Sequence, residues 1–407
     1  MTAAMRTQVG IIGAGPAGLL LAHLLHRAGI ASIVLEARRR EEVEGTVRAG
    51  VLEQGTVDLL RESGVGARLD REAAFHRGVY LRFGGETRHL DMRALTGRSV
   101  TVYPQQELVK DLFAEREAAR GATHFGVEGV ALHDIASSRP AISFRDAAGA
   151  HRIECDFIAG CDGAHGLTRH ALPQGALARF ERTYPFGWLG ISVEAPPSSD
   201  ELIYATHERG FALVSTRSAV LQRMYFQCDP GADPASFDDA RIWEELRTRL
   251  STRDGWRPIE GRITQKVVVG MRSLVFEPMR VGGVFLAGDA AHVVPPTGAK
   301  GLNLAAADVR VLSRAIASHY NDRDGSLLER YSETCLRRVW KAQRFSWWLT
   351  TLMHRAEGET PFDRRRQLAE LDYATTSRAA MTAFAENYTG LPFEDWWVVS
   401  REAISAR

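Results

Sequence analysis

Cysteine is scarce in this sequence: four in 407 residues, at Cys155, Cys161, Cys228 and Cys335. They are too few and too scattered for a disulfide framework or a CxxC metal site, so the expectation is a reduced, cytoplasmic compartment and no metal. No charge of either sign is in excess, since 51 Lys and Arg face 50 Asp and Glu. The strong basic balance of a nucleic-acid binder is therefore missing, and no nucleic-acid partner is expected. Nor does any stretch reach the roughly 18 to 20 unbroken apolar residues that cross a bilayer, so no membrane partner is expected either. Residues 9–25 come nearest, but Pro16, His23 and four glycines interrupt them. A second apolar stretch at 30–35 follows with no polar cleavage region between, which argues against a signal peptide. Internal repeats and low-complexity tracts are also absent. What is present is ordinary: 45% hydrophobic and 25% charged residues, which excludes disorder, and a length suited to two or three domains.

The first 36 residues read strand, turn, helix, strand. Residues 8–12 form a buried-strand run; Leu21, Leu24, Leu25 and Ala28 then recur at helical spacing up to Gly29. The next strand, residues 30–35, ends in Glu36. Helices are expected near 53–63, stopped by Gly64, and from Gln106 onward. Between about 184 and 271 the pattern becomes short alternating strands, punctuated by Pro196-Pro197-Ser198 and Asp229-Pro230-Gly231. One helix there carries Ile242, Trp243, Leu246 and Leu250 on its apolar face. A buried-strand pattern returns at 284–287, and 326–354 reads as one long amphipathic helix. The expected fold is α/β with α+β elements. A Rossmann-like dinucleotide-binding domain covers 1–183, with 272–325 returning to it. A mostly antiparallel sheet is inserted at 184–271, and a helical region closes the chain at 326–407.

Gly13-Ala14-Gly15-Pro16-Ala17-Gly18 lies between the first strand and helix, and Glu36 ends the next strand eighteen residues after the last glycine. Gly13 permits the tight turn, Gly15 lets backbone approach a pyrophosphate, and Gly18 allows close packing of helix on strand. Glu36 can accept ribose hydroxyl bonds. A bare GxGxxG is weak; strand, helix and acid in the right places make it a dinucleotide fingerprint. A second block separates FAD from NAD. A strand ending Phe285-Leu286-Ala287 runs into Gly288-Asp289-Ala290-Ala291-His292, and a helix opens near Gly301. Asp289 suits the ribityl chain of a flavin, and a helix N-terminus beyond it favours the anionic edge of reduced flavin.

Together with Cys161-Asp162-Gly163, these residues resemble the single-component flavin-dependent aromatic hydroxylases. The resemblance runs over about residues 7–394. Its most specific blocks are Arg48-Ala49-Gly50-Val51-Leu52-Glu53-Gln54-Gly55, Tyr184-Pro185-Phe186-Gly187-Trp188-Leu189-Gly190 and His292-Val293-Val294-Pro295-Pro296-Thr297-Gly298-Ala299-Lys300-Gly301-Leu302-Asn303, with Glu386-Asn387-Tyr388 near the C-terminus. It implies FAD as cofactor, NADH or NADPH as reductant, O2 as cosubstrate, a small aromatic acid as substrate and a homodimer. Arg48, Gln105, Lys300, Gly301, Leu302 and Asn303 match cofactor contacts, beside Gly13, Gly15, Gly18, Glu36 and Asp289.

The resemblance places a carboxylate site on Ser215, Arg217 and Tyr225, supported by Arg223. The strand pattern is compatible: Ser215 and Arg217 share one face, as do Arg223 and Tyr225, and the residues between suffice for a hairpin. An Arg fork with two hydroxyls suits a planar carboxylate. At the opposite pole the family uses two tyrosines, here Tyr204 and Tyr388, with the backbone carbonyl of Pro296. Tyr204 would take the phenol proton and Tyr388 relay it, with His76 at the solvent end. The implied reaction is hydroxylation of 4-hydroxybenzoate to 3,4-dihydroxybenzoate. Alternatives are a same-fold hydroxylase of 3-hydroxybenzoate or 4-aminobenzoate, an ordinary nicotinamide dehydrogenase, or a flavin-binding regulator without turnover.

One segment departs from the family. The best-known members recognise NADPH with a basic, tyrosine-bearing stretch after the second strand. Here Glu42 replaces the Tyr, Ala37 and Thr46 replace arginines, and Glu41 and Glu44 add negative charge, against Arg38, Arg39 and Arg40. Three carboxylates repel a 2′-phosphate, so dual use or a preference for NADH is expected. His165, Arg169 and Arg272 match the remaining nicotinamide-nucleotide contacts.

Overall fold

The computed structural model of the chain describes residues 5–48 and 50–393; Ala49, in one of the matched blocks, and Trp396 and Trp397 lie outside the described residues. Among them, a six-stranded sheet runs in the order Arg280–Val281, Val284–Leu286, Phe157–Gly160, Val9–Ile12, Ser32–Glu36, Thr123–Phe125. All its pairings are parallel except that of its first two strands. The central strands are buried along their length, as a parallel sheet covered on both faces requires. The helices Pro16–Arg27 and Gly301–Asn321 pack against it and open at the same end of the sheet, where Gly288 separates them.

An eight-stranded, mostly antiparallel sheet stands beside it. Its order is His292–Val293, Arg262–Glu277, Ala178–Glu194, Leu221–Cys228, Gly210–Ser218, Leu202–His207, Gly78–Phe83, Glu86–Asp91. Two of these strands are long rather than short, at 17 and 16 residues. Gly78–Phe83 and Glu86–Asp91 come from outside the stretch expected to be inserted at 184–271. The first pairs in parallel with Leu202–His207, a partner far away in sequence that local periodicity cannot announce.

The alternation along these strands divides the side chains between two cores. Leu189, Ile191, Ala212, Val214, Met224 and Phe226 face the helix Asp239–Arg249, whose Ile242, Trp243 and Leu246 complete one core. Phe186, Trp188, Tyr204, Phe211 and Leu213 face the other way, toward Phe345, Leu349, Phe384 and Tyr388 of the C-terminal helices. The expected long helix at 326–354 is interrupted: Ser326–Glu329 ends at Arg330, and Tyr331–Met353 follows. Small four- and three-stranded sheets flank this frame, the latter pairing Ala74–His76 with Val100–Val102. Among the described residues no helix is long and apolar enough to cross a membrane, and the four cysteines are unpaired.

Candidate active site

Three glycines shape the first crevice. Gly13 has φ +104°, and a Cβ there would meet the Cys161 carbonyl oxygen at 2.4 Å; at Gly18 it would meet the Gly13 carbonyl oxygen at 1.9 Å. Nothing lies within 4 Å of the same position at Gly15. The outer two glycines thus let turn, strand and helix close together, and the middle one leaves room for a phosphate beside the backbone. Gly15 caps the helix without a side-chain bond, so the first N–H groups stay available to an anion. Glu36 is buried at the neighbouring strand tip and accepts the Ala14 N–H at 2.7 Å.

Gly288 (φ +62°) wedges between the two helix openings: a Cβ there would lie 3.5 Å from Ala17 and 3.1 Å from Ala305. Asp289 follows it, with Oδ2 at 3.5 Å from Arg48 Nη1. The helix Gly301–Asn321 also opens without a side-chain cap, leaving the N–H groups of Gly301, Leu302 and Asn303 free of intrahelical partners. Gln105 begins the helix Gln105–Ala118, beside Gly50, whose missing Cβ lets the chain pass Tyr103 and Gln105 at close range. Two uncapped helix ends facing one crevice, with carboxylates at Glu36 and Asp289, fit the pyrophosphate, ribose and ribityl groups of FAD.

Two expected cofactor side chains point to a different duty. The Lys300 ammonium is buried and bonds Glu53 Oε1 (2.6 Å) and the backbone carbonyls of Asn387 and Tyr388. Arg338 takes the other Glu53 oxygen at 2.8 Å. Asn303 accepts the Glu53 N–H and donates to the carbonyls of Val51 and Ala299. A buried ammonium needs an anion and full hydrogen bonding, and Glu53 meets that need. These side chains brace the helix opening from behind, leaving its backbone to meet a ligand.

The second crevice lies over the large sheet. Register places Tyr204 opposite Leu213, Leu213 opposite Tyr225 and Tyr225 opposite Gly190; one row on, Ser215 pairs with Arg223 and Arg223 with Ser192. The hairpin Gly210–Ser218 to Leu221–Cys228 therefore unites both expected pairs. Ser215 Oγ and Arg217 Nη1 are buried polar atoms with no protein partner. Such groups cost about 1–3 kcal/mol each when left unpaired, so they are poised for an acceptor supplied by a ligand. Arg223 is held elsewhere: its Nη1 bonds Ser192 Oγ and Gln265 Oε1, both at 2.6 Å. Its guanidinium lies 5.6 Å from the Tyr225 ring centre, a support for that ring although its backbone pairs with Ser215. Gly190 makes room for that ring, since a Cβ would reach it at 2.8 Å.

Tyr204 and Tyr388 meet across the same space, Oη to Oη at 2.6 Å, both 2% exposed. Tyr204 also donates to the Thr297 carbonyl at 3.2 Å, while the Pro296 carbonyl accepts the Ala299 N–H. Burial pushes the Tyr204 pKa up to about 12, against the pull of the Tyr388 bond and the Arg217 charge. Arg217 is half-buried, and its Nη1 is shielded from solvent. Burial also raises Tyr388 well above the usual phenol. His76 is not at the solvent end as expected: it is 2% exposed, and burial lowers its pKa despite the nearby Glu201 and Asp200 carboxylates.

The nicotinamide set comes from three stretches of the chain. Each arginine of the run 38–40 is engaged by its own acid: Arg38 by Glu36, Arg39 by Glu42, Arg40 by Glu44 and Glu117. Glu42 also accepts the Arg39 N–H, capping a short helix. Arg169 donates to the Gly163 and Ala164 carbonyls and lies over Phe276, near Arg272; His165 is exposed.

The FAD binding domain family model matches residues 6–346. A p-hydroxybenzoate hydroxylase from Acinetobacter baylyi is 47% identical over 391 residues, covering 96% of both chains. This chain belongs to the FAD-dependent aromatic hydroxylases. A rifampicin monooxygenase from Streptomyces venezuelae is 28% identical over 320 residues, 76% of this chain and 63% of that protein. The solved p-nitrophenol 4-monooxygenase from Pseudomonas putida superposes with a TM-score of 0.82 at 20% identity, over 95% of this chain and 100% of that one, a likeness of fold alone. The hydroxylase is thus a flavoprotein monooxygenase that uses FAD, a nicotinamide nucleotide and O2. Sequence reasoning about this hydroxylase missed the Thr297 carbonyl and the Glu53–Arg338 brace. Both belong to or touch the matched blocks, but only the folded chain brings Arg338 to Glu53.

Proposed function

We propose that this hydroxylase converts 4-hydroxybenzoate to 3,4-dihydroxybenzoate. The observation that carries the reading is a pair of buried, unpartnered donors: Ser215 Oγ, on the sheet face that also holds the Tyr204–Tyr388 pair, and Arg217 Nη1, two residues on at an irregularity in the same strand. A carboxylate satisfies the first pole, a phenol the second, and a para-substituted ring joins them. The name of the 47% identical relative supports the same substrate.

Arg217 holds the carboxylate, with Ser215 and Tyr225 hydroxyls donating and Arg223 steadying Tyr225. At the other pole Tyr204 has two donor arrangements. With its hydrogen on Thr297 it receives that of Tyr388; with its hydrogen turned to Tyr388, its oxygen is open to the phenol proton. Taking that proton at Tyr204 Oη, as Tyr204 passes its own to Tyr388 Oη, leaves a phenolate whose charge enriches the adjacent ring carbon. The Gly13, Gly15 and Gly18 loop, Glu36, Asp289, Arg48, Gln105 and the backbone of Gly301, Leu302 and Asn303 would hold FAD, which when bound and reduced by NAD(P)H would supply oxygen activation for that carbon. The near-complete burial of both tyrosines keeps bulk water from the site. Tyr388 Oη in turn releases its own hydrogen, and its onward path is assigned to His76, which as a buried residue stands inside the route rather than at its solvent end.

NADH, or both nucleotides, serve as reductant, through Arg38, Glu42, His165, Arg169 and Arg272. Pairing of the arginine run with its own acids supports this, because little free positive charge remains there for a 2′-phosphate. Residues 1–183 with 272–325 serve the cofactor, apart from the strands Gly78–Phe83 and Glu86–Asp91, which join 184–271 in serving the substrate, in a cytoplasmic homodimer. The test is to mix the holoenzyme with NADH, O2 and each candidate benzoate and identify the products. Formation of 3,4-dihydroxybenzoate from 4-hydroxybenzoate is expected; turnover only with 3-hydroxybenzoate or 4-aminobenzoate, or NADH oxidation that no aromatic acid stimulates, overturns the reading.

A further inference from the structure

His354 follows the helix Tyr331–Met353 and is 3% exposed. Its Nε2 accepts the Trp188 indole N–H at 2.6 Å, and its Nδ1 lies 2.8 Å from the Thr350 carbonyl. An indole N–H only donates and a carbonyl only accepts, so this imidazole is neutral, with its proton on Nδ1. Burial lowers its pKa to about 3, which keeps it in that state at working pH. The ring also stacks on Phe186, at 4.6 Å and 6°, and on Phe211, at 4.4 Å and 27°, while Trp188, at 5.8 Å and 9°, meets it edge to edge as the N–H···N bond requires.

The stack reaches both poles of the substrate site. Trp188 lies 5.2 Å from the Tyr225 ring, and Phe211 lies 6.1 Å from the Tyr204 ring. The side chains contributed by the sheet project from one face of it, and His354 reaches them from the helical layer above. We propose that His354 is a positioning residue that sets the span of the substrate pocket, fixing Trp188 and Phe211 so that Tyr225 and Tyr204 stand apart by the length of a para-substituted ring. This rests on the substrate reading given above. The imidazole combines two properties that no other side chain offers here. A phenyl ring would stack but strand the indole N–H, freeing Trp188 to turn; an amide would bond but not stack.

The test compares wild type, H354F, H354Q, W188F and the H354F/W188F double variant as FAD-loaded enzymes. Product formation from 4-hydroxybenzoate and 3-hydroxybenzoate is measured as kcat/KM, with peroxide released per NADH consumed. A merely structural defect lowers both substrates alike. A lost span lowers the preference for the para isomer, by about tenfold if one buried hydrogen bond governs it. H354F and W188F should each do this and raise the peroxide yield. The double variant should lose no more than the worse single variant, because both break one coupling. H354Q, able to accept from Trp188 and donate to Thr350, should keep more of the preference than H354F. If H354F does not fold, W188F removes the same bond from the other side. Unchanged isomer preference in W188F, or in H354F where it folds, or additive losses in the double variant, overturns the inference. A wild type that fails to hydroxylate 4-hydroxybenzoate overturns the substrate reading beneath it, an outcome distinct from unchanged selectivity.

Discussion

Replacing Arg217 by alanine is the sharpest probe of the carboxylate pole. The free protein leaves Arg217 Nη1 and Ser215 Oγ unpartnered, so neither substitution breaks a bond inside the fold. Their effects should therefore fall on the ligand. Arg217 as a residue is only half-buried, so the 3–5 kcal/mol for severing a fully buried ion pair is an upper bound. One charge-assisted contact contributes about 1.5–3 kcal/mol. A guanidinium that bonds a carboxylate sits at the upper end of that range, and about 3 kcal/mol is on the order of 100-fold in Kd. Ser215→Ala removes one neutral bond of about 1 kcal/mol, on the order of fivefold. Titrating each holoenzyme with 4-hydroxybenzoate, followed by the flavin absorbance change, measures both, and flavin content reports that FAD stays bound. An R217A dissociation constant within threefold of wild type, or equal shifts for R217A and S215A, would refute the assignment of this pole to a carboxylate.

Tyr204→Phe should leave flavin reduction intact while NADH oxidation yields mainly peroxide; a wild-type ratio of hydroxylated product to NADH would remove Tyr204 from phenol activation. Steady-state kcat/KM should favour NADH or treat both nucleotides alike, and a tenfold or larger NADPH advantage would contradict the pairing argument at Arg38, Arg39 and Arg40. His354 also predicts acid sensitivity. Its folded pKa of about 3 lies below the unfolded value near 6.5, so on acidification the unfolded chain binds this proton first. The stabilisation is complete above about pH 6.5 and declines below it, by about 3 kcal/mol from this group between pH 7 and 4.5. Chemical denaturation at both pH values should show H354Q losing less stability than wild type over that interval; equal losses would contradict the assignment.

What could be read from the chain was what local geometry enforces. The glycine fingerprint is legible because each glycine answers a contact with a neighbour close in the fold: 2.4 Å at Gly13, 1.9 Å at Gly18, open space at Gly15. Ser215, Arg223 and Tyr225 are legible because a two-residue spacing and a hairpin fix their relative faces, whereas the register shifts at Arg217, which spacing alone does not place. The strand at Gly78–Phe83 was not, since its parallel partner at Leu202–His207 lies more than a hundred residues away. Lys300 misled for a related reason. Its place at a helix opening suggests a ligand contact, and only the arrival of Glu53, Asn387 and Tyr388 turns the ammonium to a structural role.

The same division explains how one sheet serves a ring with two different ends. The sheet supplies position: Tyr204, Leu213, Ser215, Tyr225 and Arg223 occupy adjacent rows on one face, at separations the backbone sets. It does not supply the partners that give those side chains their chemistry. Tyr388, which gives Tyr204 somewhere to send a proton, comes from the helix Arg378–Thr389, and His354, which orients Trp188 beneath Tyr225, comes from the end of Tyr331–Met353. Lys300 ties the first of these helices to the opening of Gly301–Asn321 through the Asn387 and Tyr388 carbonyls. A shift of the C-terminal helices would thus disturb the proton route and the pocket span while leaving the carboxylate donors where the sheet holds them. Substitutions in the helical layer should accordingly cost coupling and isomer selectivity before they cost binding, the reverse of substitutions at Arg217.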